Sequence, residues 1–111
     1  MQPSDNAVTG FDIEQVLTET RLQRLEANEM LRRLRVAVED TFRKAGNEDL
    51  TTFQIRTTGL WTNRRHSRSY YWRMQVLEMV VDRMQGAQKG TWTVRLAPAS
   101  EHICFFKKQP A

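Results

Sequence analysis

Basic and aromatic side chains are concentrated in residues 62–74, TNRRHSRSYYWRM. These thirteen residues include four arginines, one histidine, two tyrosines and one tryptophan. Guanidinium groups bind phosphate oxygens, and flat rings stack on nucleobases. Cations are also disfavoured at the start of a helix, where the helix dipole is positive, unless an anion binds there. The segment therefore predicts contact with nucleic acid, and the alternative is a solvated surface that aids solubility.

The positive charge is local. Residues 12–44 contain seven basic and seven acidic side chains, whereas residues 55–95 contain eight basic and two acidic ones. A basic patch of this kind is expected of a phosphate-binding surface. Among the predicted contacts, Tyr71 and Gln75 are candidates to contact bases. The predicted DNA-binding residues are Arg56, Asn63, Arg64, Arg65, His66, Arg68, Tyr71, Arg73, Gln75, Lys89 and Arg95.

The sequence gives little indication of catalysis or metal binding. It lacks a nucleophile elbow, a phosphate loop, an HExxH motif and an evident carboxylate pair, so we expect no enzyme and no cofactor. His66, His102 and Cys104 are too scattered to predict a metal site. The single cysteine, the absence of a hydrophobic leader and the lack of a stretch that could span a membrane predict a cytoplasmic protein.

Residues 11–45 are rich in helix formers and end before Gly46. A core-facing stripe at spacings of three and four residues is formed by Ala27, Leu31, Leu34, Val38 and Phe42. An earlier apolar set does not continue this stripe, which indicates either two helices or one long helix. We expect this set to form a homodimer contact, or alternatively to fold back on its own domain: Ile13, Val16, Leu17, Leu22 and Leu25.

Three further elements are predicted downstream. A short helix is expected in residues 51–59, with Phe53 and Ile55 facing inward. A longer helix follows the basic loop, and its core stripe is expected to be Tyr70, Met74, Leu77, Val81 and Met84. Its exposed face would carry Glu78 and Asp82. Alternating residues around 91–96 and 101–106 predict a terminal β-hairpin, with Trp92, Val94 and Leu96 on one side.

This order of elements resembles the winged helix-turn-helix superfamily. The segment LTTFQIRTTGLW, residues 50–61, is similar to the second helix and turn of that superfamily. The resemblance implies a third helix in the DNA major groove, flanked by a hairpin wing. The expected fold is mainly α with a C-terminal β-hairpin (α+β). It would comprise a flexible tail (1–10), an N-terminal helix (11–27) and a winged-helix domain (28–111).

The function predicted from these features is sequence-specific binding of double-stranded DNA, in transcriptional regulation or as a replication or partition accessory. Two alternatives remain open at this stage. One is a binder of RNA or single-stranded nucleic acid that uses rings and arginines as a platform. The other is a protein-interaction module whose basic patch docks on an acidic partner.

Overall fold

The computed structural model describes residues 12–62, 68–88 and 90–109. In these ranges the chain forms an α+β domain with two α-helices and a three-stranded antiparallel sheet, which confirms the expected α+β class and the terminal hairpin. The elements are α1 (Ile13–Ala45), β1 (Thr52–Arg56), α2 (Tyr70–Ala87), β2 (Trp92–Leu96) and β3 (His102–Lys107), with short 3₁₀ turns at Thr58–Leu60 and Pro98–Ser100.

One long helix, α1, accounts for the whole N-terminal helical pattern. It begins after Asp12, whose carboxylate accepts hydrogen bonds from the backbone N–H groups of Glu14 and Gln15. It ends at Gly46, where φ is 65°, a conformation that glycine adopts without steric cost. Of the two alternatives drawn from the sequence, the single helix is the one observed. The expected division between residues 27 and 28 therefore falls inside a continuous helix.

The predicted short helix in residues 51–59 is wrong, because most of this segment is strand β1. The 3₁₀ turn Thr58–Leu60 follows the strand directly. Phe53 and Ile55 do face the core as expected, but with the alternation of a strand. Thr, Phe and Ile favour strands, and five residues of β1 pair antiparallel with β3. This pairing joins residues about fifty positions apart, and it overrides the helix signals read from local sequence.

Strand β3 lies in the centre of the sheet, whose order is β1-β3-β2. The β2–β3 turn includes Ala99 and Ser100, both with positive φ. One sheet face packs against the helices and contains Phe53, Ile55, Trp92, Val94, Leu96, Ile103 and Phe105.

The helices complete the core from the other side. Of the stripe predicted on α1, Ala27, Leu31 and Leu34 are buried, and the ring of Phe42 contacts Phe53 at a centroid distance of 5.4 Å. The stripe predicted on α2 is only partly right. Leu77 and Met84 are buried as expected, together with Val76 and Val80, whereas Tyr70 is exposed. The buried surface of α2 is broader and rotated because the helix packs against both α1 and β2.

Helices α1 and α2 run in parallel. Gln23 of α1 donates a hydrogen bond to Gln75 of α2. At least one turn further along both helices, Asn28 of α1 accepts a hydrogen bond from Arg83 of α2. Neither helix of the described chain combines the length and the apolar character needed to cross a bilayer.

Candidate nucleic-acid interface

The centre of the predicted basic cluster lies outside the described residues. This applies to Asn63, Arg64, Arg65 and His66, to Lys89, and to the predicted tail in residues 1–10. The described residue before the cluster is fixed to α1: Glu26 accepts hydrogen bonds from the backbone N–H and the hydroxyl of Thr62, at 2.9 and 2.6 Å. The described residue after it, Arg68, is fixed to α1 as well.

Arg68 joins the two helices. Its guanidinium forms an ion pair with Glu19 at 2.8 Å and lies over the ring of Trp72, 4.7 Å from the ring centroid. The indole N–H of Trp72 donates to the same Glu19 oxygen at 2.9 Å. The ion pair occupies Nη1 of the guanidinium and, with the cation–π contact, offsets part of the charge that would attract a phosphate. Arg68 therefore has a structural role in holding the start of α2 against α1.

The solvent side of α2 differs from that of a phosphate-binding helix. Gln75, predicted to contact a base, is partly buried, and its Oε1 accepts a hydrogen bond from Nε2 of Gln23 at 2.8 Å. Tyr71 is 72% exposed and available for contact. Beyond the first turn, however, the exposed charged residues are Glu78 and Asp82, as predicted. Their carboxylates repel phosphate oxygens, so most of the exposed length of α2 is unfavourable for DNA contact.

The face of the sheet that points away from the helices carries positive charge. We call it the open face. Its outward residues come from all three strands: Thr52, Gln54, Arg56, Thr93, Arg95, His102, Cys104 and Phe106. This set contains two arginines and no aspartate or glutamate. Arg56 and Arg95, both predicted from the sequence, are thus brought together by the pairing of β1 and β2 with β3.

The register fixes how the open face is arranged. Cys104 lies between Gln54 and Arg95, and Arg56 lies beside His102. Strand spacings of about 4.8 Å and residue rises of about 3.4 Å place the two arginine Cα atoms roughly 12 Å apart. Neither guanidinium forms an ion pair with any residue in the described part of the chain. Both are exposed, so their charge is available to a ligand.

Phe106 adds an aromatic ring to this surface. It lies between Thr52 and Thr93 and is 43% exposed. Sequence analysis placed it in a strand but assigned it no role. Its position would follow from the alternation in β3, but only once β1 is known to be a strand and the outer side of the sheet is known to be uncovered. Arginines beside an exposed ring form the combination that binds phosphates and stacks bases.

Arg73 lies apart from the open face, in a cavity of about 310 Å³ between the start of α2 and the turn before β3. Its Nε–H is buried and has no hydrogen-bond partner among the described residues. A buried donor without a partner costs about 1–3 kcal/mol relative to a satisfied one. We call this feature the Arg73 cavity.

The five residues expected to mediate dimerisation are all exposed: Ile13, Val16, Leu17, Leu22 and Leu25. They do not share one face, since successive helical residues turn by about 100°. Ile13, Val16 and Leu17 form one arc that extends past the start of α2, whereas Leu22 and Leu25 point to the opposite side. From Glu19 onward α1 already contacts α2.

The outer surface of α1 carries balanced charges that pair with each other. Arg32 donates to Glu29 at 2.8 Å, and this hydrogen bond lowers the pKa of Glu29 and raises the pKa of Arg32. The pair is fully solvated, so its contribution to stability is small. Arg24 and Arg35 are exposed on the same helix and provide control positions for charge removal elsewhere.

Potential metal ligands are not clustered in the described ranges, where no three His, Cys, Asp or Glu side chains are grouped as a metal site.

The class of protein defined by these features is an α+β domain with a basic, partly aromatic open sheet face. Comparison with known proteins adds no relative, because no family model, curated protein or solved structure matches this chain.

Proposed function

We propose that this chain is a nucleic-acid-binding protein and that the open face of its sheet makes the main contact. The observation that carries the proposal is the pair of exposed arginines, Arg56 and Arg95, flanking β3 on a surface whose outward residues include no carboxylate. Two exposed cations without ion pairs in the described ranges attract a phosphate backbone, and no carboxylate among the outward residues of this face competes with it. The activity is binding and not catalysis.

A single strand suits this surface better than a duplex. The ring of Phe106 on the open face can stack only on a base that is not already stacked on both sides. Proteins that bind single strands combine such rings with arginines along the backbone path. This makes the alternative function inferred from the sequence, binding of RNA or single-stranded DNA, the form of the proposal that the geometry favours.

Sequence-specific binding of duplex DNA is the second candidate. It is favoured by the position of the β2–β3 hairpin directly after α2, the order that the winged-helix resemblance implies. Glu78 and Asp82 on the exposed side of α2 count against it. In this form of the proposal, contact with DNA relies on the first turn of α2, where Tyr71 is exposed, and on the basic residues before it.

We also propose self-association, now through three of the five apolar residues expected to form a dimer contact. The arc of Ile13, Val16 and Leu17 continues the core-facing side of α1 beyond the end of its own domain. A second copy could cover this arc, and a dimer would double the number of phosphate contacts. Light scattering that gives one subunit mass at micromolar concentration would contradict it.

The cytosol suits Cys104, a free thiol that a reducing compartment preserves.

The test is fluorescence anisotropy with labelled single-stranded and duplex oligonucleotides, titrated from low to high salt. The double variant Arg56→Ala/Arg95→Ala is compared with Arg24→Ala/Arg35→Ala, which removes the same charge from α1. Each phosphate neutralised on a single strand contributes about −0.7 to the slope of log K against log salt, so the sheet variant should reduce that slope by about 1.4.

The control variant decides whether the surface or only the net charge matters. We expect it to keep the wild-type slope. Equal losses in the two double variants would show that binding follows net charge and would contradict an interface on the open face. Absence of binding to either nucleic acid at low salt would reject the proposed function and favour an acidic protein partner. All assays need a reductant because Cys104 lies within the surface tested.

A further inference from the structure

The Arg73 cavity has fixed walls. Thr57 joins the end of β1 to the turn before β3, because its hydroxyl donates to the carbonyl of Ser100 at 2.8 Å and its N–H donates to the carbonyl of Glu101 at 2.9 Å. Leu77 of α2, which is buried in the core, forms part of the lining. The space therefore lies between elements that are held together by backbone bonds and core packing.

The lining of the cavity combines charged, aromatic and hydroxyl side chains. Arg73 is the one cation among the described lining residues and Glu101 the one anion. Two rings, those of Trp61 and Tyr70, also line the space, and Thr58 and Ser100 add hydroxyl groups. This combination fits a ligand that has a planar ring, one anionic group and a hydrogen-bond donor.

Arg73 supplies the strongest indication of a ligand. A guanidinium carries five N–H donors in a rigid fork that matches carboxylate and phosphate oxygens. The Nε–H is shielded from solvent and has no acceptor within the described ranges, although buried donors in proteins are nearly always satisfied. Because Nε is inaccessible to a molecule the size of water, an anionic oxygen in the cavity would bind the terminal N–H groups of this guanidinium, which forms no ion pair with a residue in the described ranges.

The backbone of the rim is also unusual. Ala99 and Ser100 line the cavity and have φ angles of 68° and 61°, in the left-handed region that residues other than glycine rarely adopt. Strained backbone of this kind is found preferentially at ligand sites, where the surrounding structure holds it in place. This observation is independent of the unsatisfied guanidinium and points to the same place.

We infer that the Arg73 cavity binds one nucleoside monophosphate unit, with its phosphate on Arg73, its base against Trp61 and Tyr70, and Glu101 accepting a hydrogen bond from the base or sugar. A volume of about 310 Å³ lies at the lower end of the range for small-molecule sites, roughly 300–1,000 Å³, which favours one nucleotide over two. The choice of a nucleotide among aromatic anions rests on the proposed function.

Two sources could supply this unit. One is a free nucleotide, and the other is the end of a strand that lies on the open face. The second is geometrically reasonable because Arg56 and His102 of the open face are the chain neighbours of Thr57 and Glu101 in the cavity wall. A strand could thus cross the sheet and place its terminal nucleotide in the cavity.

The test is NMR titration of the full chain with AMP, GMP, CMP and UMP, with inorganic phosphate and the unphosphorylated nucleosides as separate probes. The Arg73 guanidinium signals should shift, and the Trp61 indole signal should shift more than that of Trp92, which is outside the cavity. Arg73→Gln should weaken binding at least tenfold. The matched control is Arg83→Gln, which removes a partly buried arginine of α2 bonded to Asn28, and it should change binding less than twofold.

Oligonucleotides that carry a 5′-phosphate, a 3′-phosphate or neither distinguish the two sources. A preference for one terminal phosphate that is lost in Arg73→Gln supports capture of a strand end, even when free nucleotides bind weakly. Should Arg73→Gln fail to fold, Arg73→Lys, which keeps the charge without the fork, should lose several-fold in affinity. The inference is overturned when neither mononucleotides nor terminal phosphates shift the Arg73 signal, or when Arg73→Gln binds them as wild type does.

These outcomes are separable from those of the proposed function. Oligonucleotide binding that depends on Arg56 and Arg95 but is indifferent to Arg73 and to terminal phosphates removes only the cavity inference. Mononucleotide binding that depends on Arg73, in a chain that binds no oligonucleotide, removes only the proposed function of the open face.

Discussion

The inner and outer faces of the sheet are formed by the same strands, and alternate residues of β3 are divided between them. Phe105 is 1% exposed and its ring stacks on that of Phe53, with centroids 4.5 Å apart. Phe106, the next residue, is 43% exposed and lies beside threonines. Two identical side chains at adjacent positions therefore face different surroundings, which allows stability to be tested separately from binding.

The largest expected effect is on stability and is confined to the inner face. Phe105→Ala should lower the free energy of unfolding by about 3–5 kcal/mol, because it removes a fully buried ring and leaves a cavity. Phe106→Ala should lower it by less than about 1 kcal/mol, since much of that ring is already solvated. Urea unfolding followed by circular dichroism measures both. A cost for Phe106→Ala close to that for Phe105→Ala would mean that the open face is covered in solution and that the two faces do not differ in exposure.

The next effect is on binding and is confined to the outer face. Phe106→Ala should weaken binding of single strands by about 1–3 kcal/mol, the range measured for loss of one stacked base. Phe106→Leu keeps apolar surface but has no flat ring, so it should lose nearly as much. Duplex affinity should change little in either variant. Anisotropy at constant salt measures these differences, and retention of full affinity by Phe106→Leu would exclude stacking as the role of this ring.

The inner face was more accessible to sequence reasoning than the outer face. The alternation of Trp92 and Val94 predicted the hairpin, and the spacing of Ala27, Leu31 and Leu34 predicted the buried side of α1, because both patterns are local. Strand β1 was missed because the seven residues between Thr51 and Gly59 also fit a capped helix. Its identity is decided by pairing with β3, a contact that no local window contains.

Prediction of the candidate site was also limited by contacts between residues that are distant in sequence. The local excess of basic residues placed Arg56 and Arg95 among the predicted contacts, but it did not predict the surface they share, which exists only because β1 and β2 flank β3. The ion pair of Arg68, a predicted nucleic-acid contact, could not be foreseen because its partner Glu19 lies 49 residues away in sequence. The stripe on α2 was displaced for a related reason, since a helix that packs on two elements buries residues that a one-sided pattern does not predict.

The smallest expected effect concerns the exposed side of α2, which differs from the open face in the sign of its charge. Glu78→Gln/Asp82→Asn should raise affinity for either nucleic acid by less than about twofold. These carboxylates lie outside the proposed contact, and salt screens the repulsion between exposed charges that are more than about 10 Å apart. The matched control, Glu39→Gln/Glu48→Gln, removes two exposed carboxylates from α1 and the turn after it. Anisotropy at two salt concentrations compares the pairs.

A much larger effect would change the choice between the two candidate functions. With α2 in a major groove, Glu78 and Asp82 would lie near phosphates, and their removal would strengthen duplex binding by about tenfold or more at low salt, with little change in the control. That result would place the contact on α2 and make the open face secondary. Equal, small effects in both pairs would place Glu78 and Asp82 outside the contact, as the proposed interface on the open face requires.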